Sequence, residues 1–397
     1  MKNFNKESYQ ALENYIGKYK ENVTVANAQQ AISEFDESWN TIVDETYENQ
    51  SKYAIALVIL SIANYNIQKN TKENLDVLSK LISEFSAKIK SMPGVKQTLF
   101  YNLGGCWYKL GALYYYKVIE TFKTYIYYQI VPSAHKCYYP TAYAFRKCNT
   151  FLYQALVNEQ LYISSPTTFN DPFDCPIREL LDNGEDISYL MRQAYNDCLK
   201  IACFTSNIKL PYQKEPDNPS SIVSNEKKHK RDRAEFLNTL MWAHYADSHS
   251  GICIKYRFYE SISYLGSFDK NIVSYFNDVR YSKKDMRLYS KLNTINVEDA
   301  FFLKGKEWEY ENELRFLYYD ANGKGEHGAI DIPNCIEAIY FGLKCSKKDR
   351  DTIINLMKNK KVLIKDIYGN TKENPVKFYQ MVIDKKQFGQ LKVEKIK

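Results

Sequence analysis

Apolar and polar positions along this chain follow two different periods. Up to about residue 131 the apolar side chains recur at helical spacing. Helices are expected over Lys6–Lys20, Thr24–Tyr47, Lys52–Gln68, Lys72–Lys90, Val95–Leu110 and Ala112–Val131. Lys69-Asn70-Thr71 reads as a polar turn, and Met92-Pro93-Gly94 and Pro132 as helix stops. Pro93 and Pro132 each close a helix–turn–helix, a recurrence in the range of helical repeats.

After Pro140 short alternating and apolar runs replace this pattern. Tyr143–Arg146, Leu161–Ser164, Ile201–Thr205, Gly251–Phe258, Asn271–Ser282, Glu311–Tyr319 and Ile336–Phe341 read as strands, with Val362–Tyr368, Lys377–Ile383 and Leu391–Ile396 as closing strands. Asn149–Glu159, Asp186–Asp197, Arg233–Tyr245, Val297–Phe302 and Lys347–Lys358 read as helices, the first capped by Asn149 or Thr150. Lys209–Lys230, with three prolines, is expected to be a mobile surface loop. The fold class expected is α+β: a helical-repeat domain over 1–135 and a mixed, largely antiparallel domain over 140–397.

Tyr101-Asn102-Leu103-Gly104 followed by Trp107-Tyr108-Lys109-Leu110-Gly111 resembles the first helix and turn of a tetratricopeptide repeat. The chain departs from that pattern at Tyr114, Tyr115 and Tyr116, where a small residue is expected, and the repeat is longer. Stacked helix pairs of this kind imply a surface that binds a protein partner or caps the next domain.

The chain has 397 residues, 45% hydrophobic and 25% charged, which fits a soluble globular class with room for two domains. Its excess lies in 35 Tyr and 20 Phe, suited to helix packing and to ligand grooves. The net charge of +7 permits a phosphate-bearing partner, nucleic acid included, without demanding one. The basic run Lys227–Arg233 reads as a solvated loop. Nine cysteines without a C-x-x-C pair suggest reduced thiols in a cytoplasm. No zinc-type spacing of His appears, and no apolar run reaches about 18 residues, so neither a zinc motif nor a membrane span is expected.

Leu161–Cys175 (LYISSPTTFNDPFDC) reads as a strand running into a rigid turn. Pro172 holds Asp171 out of the helical region, and Asn170 and Asp171 can bond their own backbone. The turn therefore aims Asp171 and Asp174 in fixed directions, or simply plugs Phe169 and Phe173 into the core. In Trp308-Glu309-Tyr310-Glu311-Asn312-Glu313-Leu314-Arg315, Glu311, Glu313 and Arg315 are expected on one strand face, with Leu314 and Phe316 on the other. That polar face is either solvated or the wall of a cleft, and Arg315 has Asp171 or Asp174 as an available partner. His244, in Trp242-Ala243-His244-Tyr245, is flanked by aromatics. Gly323-Lys324-Gly325-Glu326-His327-Gly328 has the letters of a dinucleotide fingerprint, but no helix follows, so a hairpin loop is expected.

Taken in order, Tyr143–Arg146, Ser164–Asp174, Met241–Tyr245 running into Gly251-Ile252-Cys253-Ile254, and Trp308–Arg315 resemble the bacterial family known as domain of unknown function 2971, over roughly Tyr143 to Ile396. The resemblance implies a domain without supplying its activity. An ADP-ribosyltransferase-like enzyme is one reading, with Arg146, Ser164 or Ser165, and Glu313 in the order such folds use. Arg146 would bind an anionic group, and Glu313 would stabilise the ribosyl cation with Glu311 orienting the substrate. His244 is a further catalytic candidate. Ser164, Ser165, Asn170, Asp171, Asp174, Trp242, Tyr245, Glu311 and Arg315 are the substrate-binding candidates, and NAD is the cofactor or substrate implied. A rival enzyme is a metal-dependent hydrolase or nuclease using Asp171, Asp174, His244 and Glu313. A third reading is an adaptor that binds its partner through the helical repeats. In each case the architecture suits a bacterial cytoplasmic stress or phage-defence effector.

Overall fold

The computed structural model describes residues 97–134, 141–169, 171, 174–175, 186–206, 237–258, 268–269, 271–282, 301–365, 370–386 and 389–396, with a few positions between 79 and 87. The helices expected over Lys6–Lys20, Thr24–Tyr47, Lys52–Gln68 and most of Lys72–Lys90 lie outside these residues, as do Asn170 and the loop Lys209–Lys230. The described residues fall in two compact units, one within Met1–Pro132 and Glu179–Tyr195, the other within Ser133–Arg178, Asn196–Ser290 and Ile295–Lys397.

In the first unit α1 (Gln97–Lys109) is followed by Gly111, at φ +103°, and a 3-10 turn, Ala112–Tyr114, before α2 (Tyr115–Ala134). Aromatic side chains fill the space between these helices. Phe100 stacks on Tyr128 at 5.0 Å, and Tyr101 meets Phe122 and Tyr125. A Cβ at Gly104 would lie 2.5 Å from Phe122, so the absent side chain lets the two helices approach. Pro132 was expected to close α2, but the helix continues to Ala134. Proline's fixed φ is helical, and in a last turn it removes only one hydrogen bond.

Along the rest of the chain come β1 (Thr141–Arg146), α3 (Thr150–Asn158), β2 (Gln160–Ser164), α4 (Asp186–Cys198), β3 (Leu199–Thr205), α5 (Thr239–Tyr245), β4 (Ile252–Arg257), β5 (Phe268–Asp269), β6 (Ile272–Asp278), β7 (Arg280–Ser282), β8 (Leu303–Gly305), β9 (Glu313–Asp320), β10 (His327–Asp331), β11 (Ile336–Phe341), α6 (Lys347–Met357), β12 (Lys361–Lys365), β13 (Thr371–Pro375), β14 (Lys377–Ile383) and β15 (Leu391–Lys395). Among the described residues eleven strands form one sheet in the order β15-β14-β11-β4-β1-β3-β9-β6-β5, with β2 and β10 off this path. Its pairings are antiparallel except β11 with β14, so the unit is mixed α+β with an antiparallel-dominated sheet. The sheet forks at β3. Its last residue pairs with β1 (Tyr143 opposite Thr205), whereas Ile201 pairs with Ser164 of β2.

Alternation sorts the side chains into two faces. Ala142, Ala144, Phe204, Ile252, Ile254, Leu314, Phe316 and Ile339 face a core completed by Leu152 and Leu156 of α3 and Ile353 and Met357 of α6. On the opposite face Tyr143, Phe145, Cys253 and Tyr340 pack against Met241 and Trp242 of α5. The central strand β9 is buried on both faces.

Several boundaries differ from expectation for local reasons. Helix α5 begins at Thr239, because the Asn238 side chain caps it by accepting from the N–H groups of Leu240 and Met241. Strand β9 begins at Glu313, because Glu311 belongs to a 3-10 turn, Lys306–Glu311. The Gly323–Gly328 segment is not a hairpin loop, since β9 pairs with β3 and β6 while β10 crosses to β2. Among the described residues no helix is long and apolar enough to cross a membrane.

The link from α5 to β4 is unusual. Asp247, Ser248 and His249 are all left-handed, at φ 48°, 52° and 73°, a conformation that non-glycine residues rarely adopt. The turn is held by Gly251 N–H donating to Ala246 O at 2.8 Å and by His249 N–H donating to Trp242 O at 3.1 Å. A Cβ at Gly251 would fall 2.2 Å from the backbone oxygen of Arg146. Gly251→Ala is therefore expected to destabilise the protein by about 1–3 kcal/mol, read as a lower thermal midpoint. An unchanged midpoint would mean that the turn relaxes freely.

Candidate functional site

The site is built around the start of β9. Asn312, left-handed at φ 42°, ends the 3-10 turn and lets the chain enter the strand. Glu313 then donates its N–H to Tyr281 Oη at 2.8 Å and accepts at its backbone oxygen from Val279 N–H at 2.9 Å. The β3 register sets Glu313 opposite Thr205 and Arg315 opposite Cys203. Parallel pairing of β7 with β8 sets Lys304 opposite Tyr281. Strands β8 and β9, the 3-10 turn between them and the segment of Asp174 deliver charged side chains to one buried place.

Arg315, with no exposed surface, is the centre of the cluster. Its Nε and Nη2 donate to the two oxygens of Glu313 at 2.8 and 2.9 Å. Nη2 also reaches both oxygens of Asp174, at 2.7 and 2.8 Å. Nη1 donates to Phe301 O at 2.7 Å and to Cys175 Sγ at 3.0 Å. The Phe169 ring lies 5.4 Å from the guanidinium carbon. Lys304 Nζ joins the same carboxylates, 2.7 Å from Glu311, 3.2 Å from Asp174 and 3.3 Å from Glu313, and sits 5.0 Å from the Trp308 ring centre. At the far end the Tyr245 hydroxyl, from α5, donates to Glu311 Oε1.

The network thus sets three carboxylates against two cations. Its two glutamates differ in character. Burial pushes the Glu313 carboxyl up, but Arg315 and Lys304 beside it outweigh that and bring it down to about 2. Burial, with Glu313 beside it, raises Glu311 by more than Lys304 and the Tyr245 hydroxyl lower it, so Glu311 holds a proton more readily than an ordinary glutamate. Burial pulls Lys304 down, but Glu313, Asp174 and Glu311 more than reverse it, and Lys304 stays charged. Burial and the bond to Glu311 raise the Tyr245 hydroxyl.

Five of the sequence candidates come together here: Asp174, Tyr245, Glu311, Glu313 and Arg315. Glu311 and Glu313 do so although they do not share a strand face. Trp242, one turn before Tyr245, is fully buried against Phe145 at 5.2 Å. His244 is exposed, its ring 6.1 Å from that of Tyr310 at the edge of the site. Asp171 serves the turn, its backbone oxygen accepting from Asp174 N–H at 3.2 Å. Ser165 and Ser164 make other contacts. Ser165 Oγ donates to Asn196 Oδ1 at 2.6 Å, and Ser164 Oγ lies 3.2 Å from His327 Nδ1. Arg146 is not brought to Glu313. Alternation places it on the face of Ala142 and Ala144, opposite to that of Glu313, and its Nη1 donates to Phe145 O at 2.8 Å.

Sequence reasoning missed Lys304, Tyr281 and the two thiols at Cys175 and Cys203. Lys304 carried a signal, since it directly follows the apolar run Phe301-Phe302-Leu303. For the metal reading, Asp174 and Glu313 are already engaged by Arg315 and Lys304. Among the described residues no group of His, Cys, Asp or Glu is arranged to hold a metal ion.

No curated protein and no solved structure matches this chain. The family described as "Protein of unknown function (DUF2971)" matches residues 241–316, the stretch that supplies Trp242, Tyr245, Lys304, Glu311, Glu313 and Arg315. The resemblance to DUF2971 therefore holds over the segment that carries most of the buried charge network.

Proposed function

We propose that the α+β unit is the enzymatic part of a nucleotide-directed effector with an ADP-ribosyltransferase-like reaction on NAD, and that Glu311 is its working carboxyl. One observation carries this reading. Glu311, itself buried, ends the network on the Tyr245 side, held by Lys304 and Tyr245, with the half-buried rings of Tyr245, Trp308 and Tyr310 around that end. Flat aromatic surfaces suit a nicotinamide or purine ring. A carboxylate beside them suits a ribose hydroxyl and the positive charge that develops when the glycosidic bond opens. Glu313, Asp174 and Arg315 are positioning residues in this scheme. They fix Lys304, and Lys304 fixes Glu311. The scheme makes no use of Arg146. Such an enzyme would act in a bacterial cytoplasm as a stress or phage-defence effector.

The test is nicotinamide release from NAD by the full chain, with NAD binding followed by calorimetry. Glu311→Gln is expected to lower turnover about 10²–10³-fold with binding retained. Absence of both binding and turnover in the wild-type protein would overturn the reading. That outcome would favour an adaptor without enzymatic activity, which draws support from Leu113 and Tyr116, 86% and 60% exposed between and on the helices of the first unit.

A further inference from the structure

Two thiols outside the charge network lie together at one end of the sheet. Strands β1 and β11 both pair with β4, and both end level with Ile252, at Arg146 and Phe341. The links that follow turn toward the same face, because α3 and α6 pack on the same core. Cys148 directly precedes Asn149, the cap of α3, and Cys345 directly precedes Ser346, the cap of α6. Tyr153 of α3 donates its hydroxyl to Asp349 of α6 at 2.7 Å, which holds the two helix starts side by side. The thiols lie close enough for each to shift the other's ionisation, both are free, and both are half-buried. By contrast Cys106, Cys175, Cys198, Cys253 and Cys335 are buried.

The contact also sets the roles of the two sulfurs. Cys345 Sγ lies 3.8 Å from the Ser346 carbonyl, and the neighbouring Cys148 lowers the Cys345 thiol below its ordinary value. Burial and Asp349 oppose this, while Arg350 supports it. The same contact, with burial, raises Cys148. A thiolate is the nucleophile toward peroxides and disulfides, so Cys345, the lowered sulfur, is the one prepared to react.

We propose that Cys148 and Cys345 form a reversible dithiol–disulfide site oxidised by a hydroperoxide, with Cys345 as the attacking sulfur and Cys148 as the resolving one. The Cys345 thiolate attacks one peroxide oxygen. An S–O bond forms, the O–O bond breaks, and the departing oxygen takes up a proton to leave as water or an alcohol. The Cys148 sulfur then attacks Cys345 Sγ. The S–S bond forms, the S–O bond breaks, and the hydroxyl leaves as water with the Cys148 proton. The two thiols together lose two protons and two electrons, and the peroxide is reduced. The product ties the start of α3 to the start of α6.

The full chain, fully reduced, is treated with stoichiometric hydrogen peroxide, with dimedone present to trap sulfenic acid in the variants, then alkylated and mapped by mass spectrometry. The wild type is expected to lose two of its nine titratable thiols and to give a Cys148–Cys345 cross-linked peptide that dithiothreitol reverses. Cys148→Ser is expected to collect the dimedone adduct on Cys345. Cys345→Ser is expected to give neither cross-link nor adduct at Cys148. Full alkylation of both cysteines in the treated wild type would overturn the site, as would a Cys148→Ser chain without an adduct on Cys345. An adduct on Cys148 in Cys345→Ser would overturn the assigned roles.

Discussion

Replacing Arg315 with Leu is expected to destabilise the α+β unit by about 3–5 kcal/mol and to lower its thermal midpoint by roughly 6–20 °C. The guanidinium has no exposed surface and is bonded to Glu313, Asp174, the Phe301 carbonyl and the Cys175 sulfur. Its removal leaves the carboxylates of Glu313 and Asp174 buried with only Lys304 to balance them. Leucine supplies apolar volume but no donor, so the cost comes from the acids left behind. Arg315→Lys should recover part of the loss, because it restores the charge without the planar fork that serves two carboxylates at once. Adding Asp174→Asn and Glu313→Gln to Arg315→Leu should also recover part of it, since the orphaned charges are then gone. A midpoint for Arg315→Leu within about 2 °C of wild type would show that water enters the network and that the burial seen here does not govern its energetics. In the proposed scheme the experiment also bears on function, because Arg315 would act only through the acids that hold Lys304, and Lys304 through Glu311.

What could be read from the sequence here, and what could not, follows the range of the interactions. The alternation Leu314, Phe316, Tyr318 against Glu313, Arg315 is a short-range signal, and the strand and its two faces were legible from it. The pairing of Arg315 with one of the two aspartates, Asp171 or Asp174, was legible too, and it falls on Asp174. Glu311 was misplaced on the strand face. A left-handed Asn312 breaks the register, and asparagine adopts that conformation without having to. Strands β7 and β8 are three residues each, too short for any periodicity, so the pair that delivers Lys304 was invisible. For Arg146, the letters Tyr-Ala-Phe-Arg do show that it shares a face with Ala144. That this face is not the one carrying Glu313 depends on the register through β3, which is a tertiary fact. The same holds for β10, whose partner β2 lies far away in sequence and not across the adjacent turn.

The network also makes the stability of the protein depend on acid in a way that assigns opposite signs to its two glutamates. Glu313 titrates near 2 in the folded chain against an ordinary value of 4.5, with burial raising it and Arg315 and Lys304 lowering it further. A depressed carboxyl stabilises the fold above its unfolded value, so this contribution is complete above about pH 4.5 and is lost as pH falls toward 2. Its size is on the order of 3 kcal/mol. Glu311 is raised, so proton uptake by the folded chain favours folding as pH falls through its range and offsets part of that loss. Urea unfolding at pH 7, 4.5 and 3 can separate the two, with tryptophan fluorescence as the signal, two of the four tryptophans, Trp242 and Trp308, lying in this unit. Glu313→Gln is expected to be less stable than wild type at pH 7 and to show a flatter decline between pH 4.5 and 3, because the group responsible for the decline is gone. Glu311→Gln should lose less at pH 7 and decline more steeply in acid, since the compensating proton uptake is removed. If Glu313→Gln declined as steeply as wild type, the acid sensitivity would belong to other carboxylates, Glu337 with its partners Lys255 and Arg257 being the next pair to test. If the two glutamate variants had the same slope, the Glu311 and Glu313 ends of the network would be electrostatically equivalent, and the case for Glu311 as the working carboxyl would lose its physical basis.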